Sequence, residues 1–121
     1  MSSLLRRRTV LAGVVGGIIF PLISSTLGAD DTRRFSVAIT AGKVDKKNRT
    51  LRVDQGDKVV IIFSTDRPVD LHLHGIDKQI LVVPGKLGEL SFDAEVAGRF
   101  PIELHGSKAH GRLLYVEVLP R

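Results

Sequence analysis

The 121-residue chain has no cysteine, no tryptophan and a single methionine, Met1, and carries 18 Lys and Arg against 13 Asp and Glu. Without a thiolate it can build neither zinc-finger sites, iron–sulfur clusters nor cysteine nucleophiles, and the His₂Cys blue-copper centre is excluded as well. The formal charge of +5 is set largely by one N-terminal run of arginines, so it says little about the folded part.

That run, Arg6-Arg7-Arg8, precedes an uncharged stretch over residues 9–29 that is rich in Val, Ile, Leu and Gly. Ser24, Ser25, Thr26, Gly28 and Ala29 then lead into Asp30-Asp31. A basic start, an apolar middle and small residues at a cleavage point describe an export signal, so residues 1–29 are expected to be a signal peptide and 30–121 the folded domain. Arg7-Arg8-Thr9-Val10-Leu11 reads as a twin-arginine signal; the general secretory route, with the arginines as its positive flank, is the other reading. The 21 uncharged residues could also just span a bilayer of about 30 Å as a retained anchor. Gly13, Gly16, Gly17 and Pro21 favour cleavage, which predicts an exported, periplasmic protein with no membrane contact afterwards. Loss of the three arginines leaves 15 basic against 13 acidic residues, or +2. Those cations alternate with acids (Asp45-Lys46-Lys47, Asp57-Lys58, Asp66-Arg67, Asp77-Lys78) and have no aromatic residues among them. Nucleic acid is therefore not an expected partner.

From Phe35 onward the periodicity is that of strands. Phe35, Val37 and Ile39 alternate with polar or small residues, as do Leu51 and Val53. Residues 59–63 form a continuous apolar run, the pattern of a strand covered on both faces or lying deep in a core. Leu90 and Phe92, then Phe100, Ile102 and Leu104, then Leu114, Val116 and Val118, alternate again. Only residues 93–98 could hold a single helical turn. Turn signals at Gly42, Asn48, 55–57, 66–68, Gly75, 84–86, 97–98 and Gly106 separate the runs. Seven or eight short strands at this spacing predict an all-β fold, an antiparallel sandwich or small barrel with Greek-key connections. Its expected core holds Phe63, Leu71, Leu73, Phe92, Phe100, Ile102, Leu104 and Val116. Pro101, inside a strand, predicts an edge or a bulge there.

All four histidines fall in two clusters, His72 with His74 and His105 with His110. Along residues 69–76 alternation sends Leu71 and Leu73 to one face and His72 and His74 to the other. Residues i and i+2 of a strand lie about 7 Å apart on one face, near enough for both imidazoles to reach one ion. His105 and His110 lie in what reads as the loop joining the last two strands, where glycines allow tight turns, although Lys108 between them would repel a cation unless it points away. Neutral imidazole is the commonest protein metal ligand. Each cluster alone is equally consistent with ordinary surface histidines.

The order of these elements resembles a cupredoxin-like domain, similar to the copper domain of the second subunit of cytochrome oxidase and to small periplasmic cupredoxin-like proteins. The resemblance rests on Asp70-Leu71-His72-Leu73-His74-Gly75-Ile76, on Val83-Pro84-Gly85-Lys86, on Ala97-Gly98-Arg99-Phe100, and on a His-containing loop before Leu114-Tyr115-Val116-Glu117-Val118. It covers residues 35–119 and implies a cupredoxin-like Greek-key β-sandwich. It also implies a copper ligand at His74 or His72 and further ligands within residues 105–112. Leu104 or His105 stands where that family has cysteine, and Arg112 stands near the place of its methionine, so the fold and the location of the site carry over but the blue-copper chemistry does not.

The expected site is thus His72, His74, His105 and His110, with Asp70 or Glu103 as an added oxygen ligand or a carboxylate orienting an imidazole. An all-imidazole site suits Cu(II), then Zn(II) or Ni(II). The expected function is an exported metal-binding protein engaged in copper handling; the alternative is a metal-free sandwich that binds a periplasmic partner protein. No Gly-x-Ser-x-Gly or His-Glu-x-x-His motif occurs, and an enzyme is not expected. If the twin-arginine route operates, replacing Arg7 and Arg8 by Lys should trap precursor in the cytoplasm in a fractionation assay, whereas normal export of that variant would leave the general secretory reading.

Overall fold

In a computed structural model that describes residues 32–106 and 110–121, the alternating runs become eight strands. These are β1 (Thr32–Ile39), β2 (Thr50–Asp54), β3 (Lys58–Thr65), β4 (Val69–Leu73), β5 (Lys78–Val82), β6 (Gly88–Asp93), β7 (Gly98–His105) and β8 (His110–Leu119). They form a three-stranded sheet, β1-β3-β6, and a five-stranded sheet, β2-β8-β7-β4-β5. The expected signal segment and Lys108 lie outside the described residues, among which no helix is long and apolar enough to cross a membrane.

The two sheets bury one face each in a common core. Val37, Ile39, Val59, Ile61, Phe63, Leu90 and Phe92 supply one side. Leu51, Val53, Leu71, Leu73, Ile102, Leu104, Leu114, Val116 and Val118 supply the other. Each fully buried side chain of this kind stabilises the fold by about 1.5–3 kcal/mol, which accounts for a domain of this size without a disulfide.

Three expectations need correction here. The sandwich is mixed rather than antiparallel: β1 pairs with β3, and β2 with β8, in parallel. The chain crosses from the first sheet to the second at β2 and back at β3, so β3 returns in the sense of β1; alternation of side chains carries no record of strand direction. The run at residues 59–63 is covered on one face only, with Val60 and Ile62 half-buried on the outer face of β3. The single helical turn falls at Lys46–Asn48, not at residues 93–98. Pro101 lies in β7, an interior strand with β8 on one side and β4 on the other. Its carbonyl accepts the His74 N–H at 3.0 Å, which puts its hydrogen-less nitrogen on the side where β4 has just ended. A register irregularity follows at once between Ile102 and Glu103, the expected bulge.

Phe100, expected in the core, is half-buried and packs against its margin. It covers Gly75, the residue that turns the chain away from β4. Gly75 has φ of 89°, and a Cβ there would lie 2.6 Å from Phe100 Cδ1. Gly75→Ala therefore meets both the left-handed backbone penalty and overpacking, for a loss of at least about 2 kcal/mol. In a chain of this size that is a fall in melting temperature of about 10 °C. Phe100→Ala should itself cost less than the roughly 3–5 kcal/mol of a fully buried phenylalanine. In its background the Gly75→Ala cost should shrink to the backbone part, a coupling that thermal melts of the two single variants and the double variant measure directly.

Candidate metal centre

The site begins with the pleat of β4. Leu71 and Leu73 are fully buried, so His72 between them, and His74 one residue past the end of the strand, face outward from the five-stranded sheet. β7 pairs antiparallel with β4 in the register Asp70↔His105, Leu71↔Leu104, His72↔Glu103 and Leu73↔Ile102. The same pleat therefore sends Glu103 and His105 to the outer face beside His72. Cross-strand neighbours on one face lie about 4.5–5.5 Å apart at Cβ, and diagonal ones about 7–8 Å. These are separations that imidazoles can close.

They do close. One ligand atom from each of His72, His74 and His105 lies within 4.8 Å of the others. The rings of His72 and His74 are 4.0 Å apart, and that of His105 is 6.3 Å from His72 and 6.4 Å from His74, measured between centroids. Three ligands at bond lengths of about 2.0–2.1 Å from one ion can all be no more than about 3.6 Å from one another, so ring shifts of about an ångström bring the three to coordination distance. His74 Nε2 is buried and has no hydrogen-bond partner among the described residues. Glu103 Oε2 stands 2.9 Å from it, but outside hydrogen-bonding geometry, so that proximity does not replace the lost water. A desolvated imidazole nitrogen with no partner costs free energy, and a metal ion is one group that would relieve it. The triad fits such an ion by donor type, spacing and this vacant nitrogen.

Carboxylates surround the triad. Glu103 Oε2 is also 3.7 Å from His105 Nε2, and Asp77 Oδ1 is 3.9 Å from His72 Nε2. Their negative charge favours a cation here. Of the two acids singled out in the sequence, Glu103 is the one at the site. Asp70 is turned toward β5, where Gln79 Nε2 donates to both its oxygens at 3.0 Å. His110, the first residue of β8, lies opposite His105 with ring centroids 6.1 Å apart. It is exposed and stands outside the group of three. Asp77 was not singled out in the sequence; only the tight return after β4, closed by Asp77 N–H donating to the Leu73 carbonyl at 2.9 Å, brings it near.

The histidines meet through strand register across a sheet face. His105 ends β7 and is paired with Asp70, so it does not belong to a free loop converging with the end of β4. No family model matches the chain, and no curated protein matches it. Solved structures do. The chain superposes on a heme-copper terminal oxidase dimer determined by cryo-electron microscopy with a TM-score of 0.59 at 20% identity, over 91% of this chain and 77% of that one. An NMR structure of a copper binding protein in the apo form gives a TM-score of 0.59 at 13% identity, over 74% and 90%. The copper nitrite reductase of Nitrosomonas europaea gives 0.59 at 17% identity, over 74% and 42%.

The fold is that of the cupredoxins. At these identities the likeness is one of fold, and this chain spans less than half the length of the nitrite reductase. Within the cupredoxin sandwich, a cysteine-free chain presents a cluster of three imidazoles on the outer face of β4 and β7.

Proposed function

We propose that the protein is an exported, periplasmic copper-handling protein that carries or buffers Cu(II) at His72, His74 and His105. The observation that carries this reading is the convergence of three imidazoles from two strands around a buried His74 nitrogen that makes no hydrogen bond and has the Glu103 carboxylate 2.9 Å away. Copper is the cargo, favoured among divalent ions by imidazole donors and by the Irving–Williams order. Fast electron transfer at blue-copper sites depends on a thiolate bond that this chain cannot make, and the motif analysis offers no catalytic nucleophile or relay, so carriage is preferred over catalysis. Glu103, beside two of the ligands, orients an imidazole or adds an oxygen donor. His110 flanks the site without ligating. The signal-like N-terminus supports export.

The chain freed of its signal should bind one Cu(II), with imidazole-nitrogen hyperfine structure in EPR and without the intense visible band of a copper–thiolate bond. His74→Ala and His105→Ala should each weaken uptake by about tenfold or more, and the double variant should abolish stoichiometric binding. His110→Ala should change affinity by less than about threefold, since its ring lies outside the triad. Binding should fall as pH falls, because each imidazole must lose its proton to ligate. Protein isolated and titrated without any Cu(II) uptake would leave the metal-free interaction domain as the better reading.

A further inference from the structure

Arg99, Arg112, Lys43 and Arg49 are scattered along the sequence, but the fold gathers them around one cavity of about 380 Å³ on the five-stranded sheet, lined also by Tyr115. This corrects the impression, taken from the chain alone, that the cations are dispersed. Two guanidinium groups crowd a single ring. Arg99 Cζ is 3.7 Å and Arg112 Cζ 4.5 Å from the Tyr115 centroid. Arg112 Nη1 also donates to the Tyr115 hydroxyl at 2.8 Å. The ring holds both cations by its π-face and keeps them close despite their repulsion.

Strand register supplies each arginine with a carboxylate opposite, yet neither carboxylate is used. Arg99 faces Glu117 across β7 and β8, but Glu117 Oε1 is engaged with Arg52 Nε at 3.7 Å. Arg112 faces Glu103, whose Oε2 turns to His74 and His105. Among the described residues none of Lys43, Arg49, Arg99 and Arg112 has a carboxylate partner. Planar guanidinium forks match oxyanions two bonds at a time, and the cavity lies within the range of about 300–1,000 Å³ of small-molecule sites.

We propose that this pocket is a binding site for a small, multiply charged oxyanion, a di- or tricarboxylate or a diphosphate, clamped by Arg99 and Arg112 on Tyr115, with Lys43 and Arg49 completing the charge. Carboxylates could equally be presented by an acidic stretch of a partner protein, and the test separates the two sources. The inference is independent of copper binding, and metal-free protein tests it.

Citrate, pyrophosphate and hexaglutamate are titrated by calorimetry at low salt into chain stripped of metal on a chelating resin. Citrate or pyrophosphate should bind saturably at one per chain. Arg99→Gln and Arg112→Gln should each weaken binding by about tenfold or more. Arg33→Gln, which removes the same charge away from the cavity, should change it by less than about twofold. Arg99→Lys keeps the charge and guards against misfolding: with an unchanged melting temperature it should still bind more weakly, because the fork is lost. Absence of saturable binding below about 10 mM, or equal losses in the Arg33 and Arg99 variants, would overturn the proposal. Binding of hexaglutamate alone would overturn the small-anion assignment and give the surface to a protein partner.

Discussion

The pairing of β4 with β7 is the constraint on which the rest depends. Its register decides at once which side chains enter the core and which stand outside. Leu71 and Leu73 on one strand and Leu104 and Ile102 on the other are driven inward by burial. His72, Glu103 and His105 are consequently forced onto the opposite face. A slip of β7 by one residue would bury Glu103 and His105 and expose Ile102 and Leu104, at a cost of several kcal/mol by burial alone. The hydrophobic core therefore aligns the histidine face, and the spacing of its imidazoles is inherited from packing on the other side of the sheet.

How far this was legible follows from the same period-two rule. The outward placement of His72 and His74 can be read from the alternation of residues 71–74, and the inward leucines with it. Pro101 gave notice of an irregularity nearby, which falls between Ile102 and Glu103 and leaves Leu113 of β8 as the extra residue. What alternation cannot supply is which strands become neighbours. His110 is near His105 in the chain and was grouped with it, but the final strand starts at that residue and leaves it exposed. Only the pairing with β7 shows that His105 stands diagonally across from His72. β5 had no recognised signal either: Ile80, Leu81 and Val82 run without alternation, and Leu81 at the sheet edge is 68% exposed. The same blindness to pairing hid the basic cavity, whose cations come from the turn after β1, the approach to β2, and strands β7 and β8.

The triad and the cavity are joined by Glu103. In register it belongs to Arg112, in contact it belongs to His74 and His105. Its position puts it between the histidine cluster and the arginine-lined cavity on a single sheet. With cysteine and methionine both missing from the domain, any metal ion held by this cupredoxin sandwich would have to be bound through nitrogen and oxygen donors.

The placement of β8 between β2 and β7 has a kinetic consequence. β2 pairs only with β8, joining Thr50 to Tyr115 across 65 positions of chain. Loop closure over that distance carries more entropy than the β7–β8 hairpin or the β4–β7 pairing, where Asp70 meets His105. During synthesis β2 must wait unpaired until the final strand emerges, while β4 and β7 already possess everything needed to find their register. Contact order thus makes the histidine face an early feature of the folding chain and closure of the five-stranded sheet a late one.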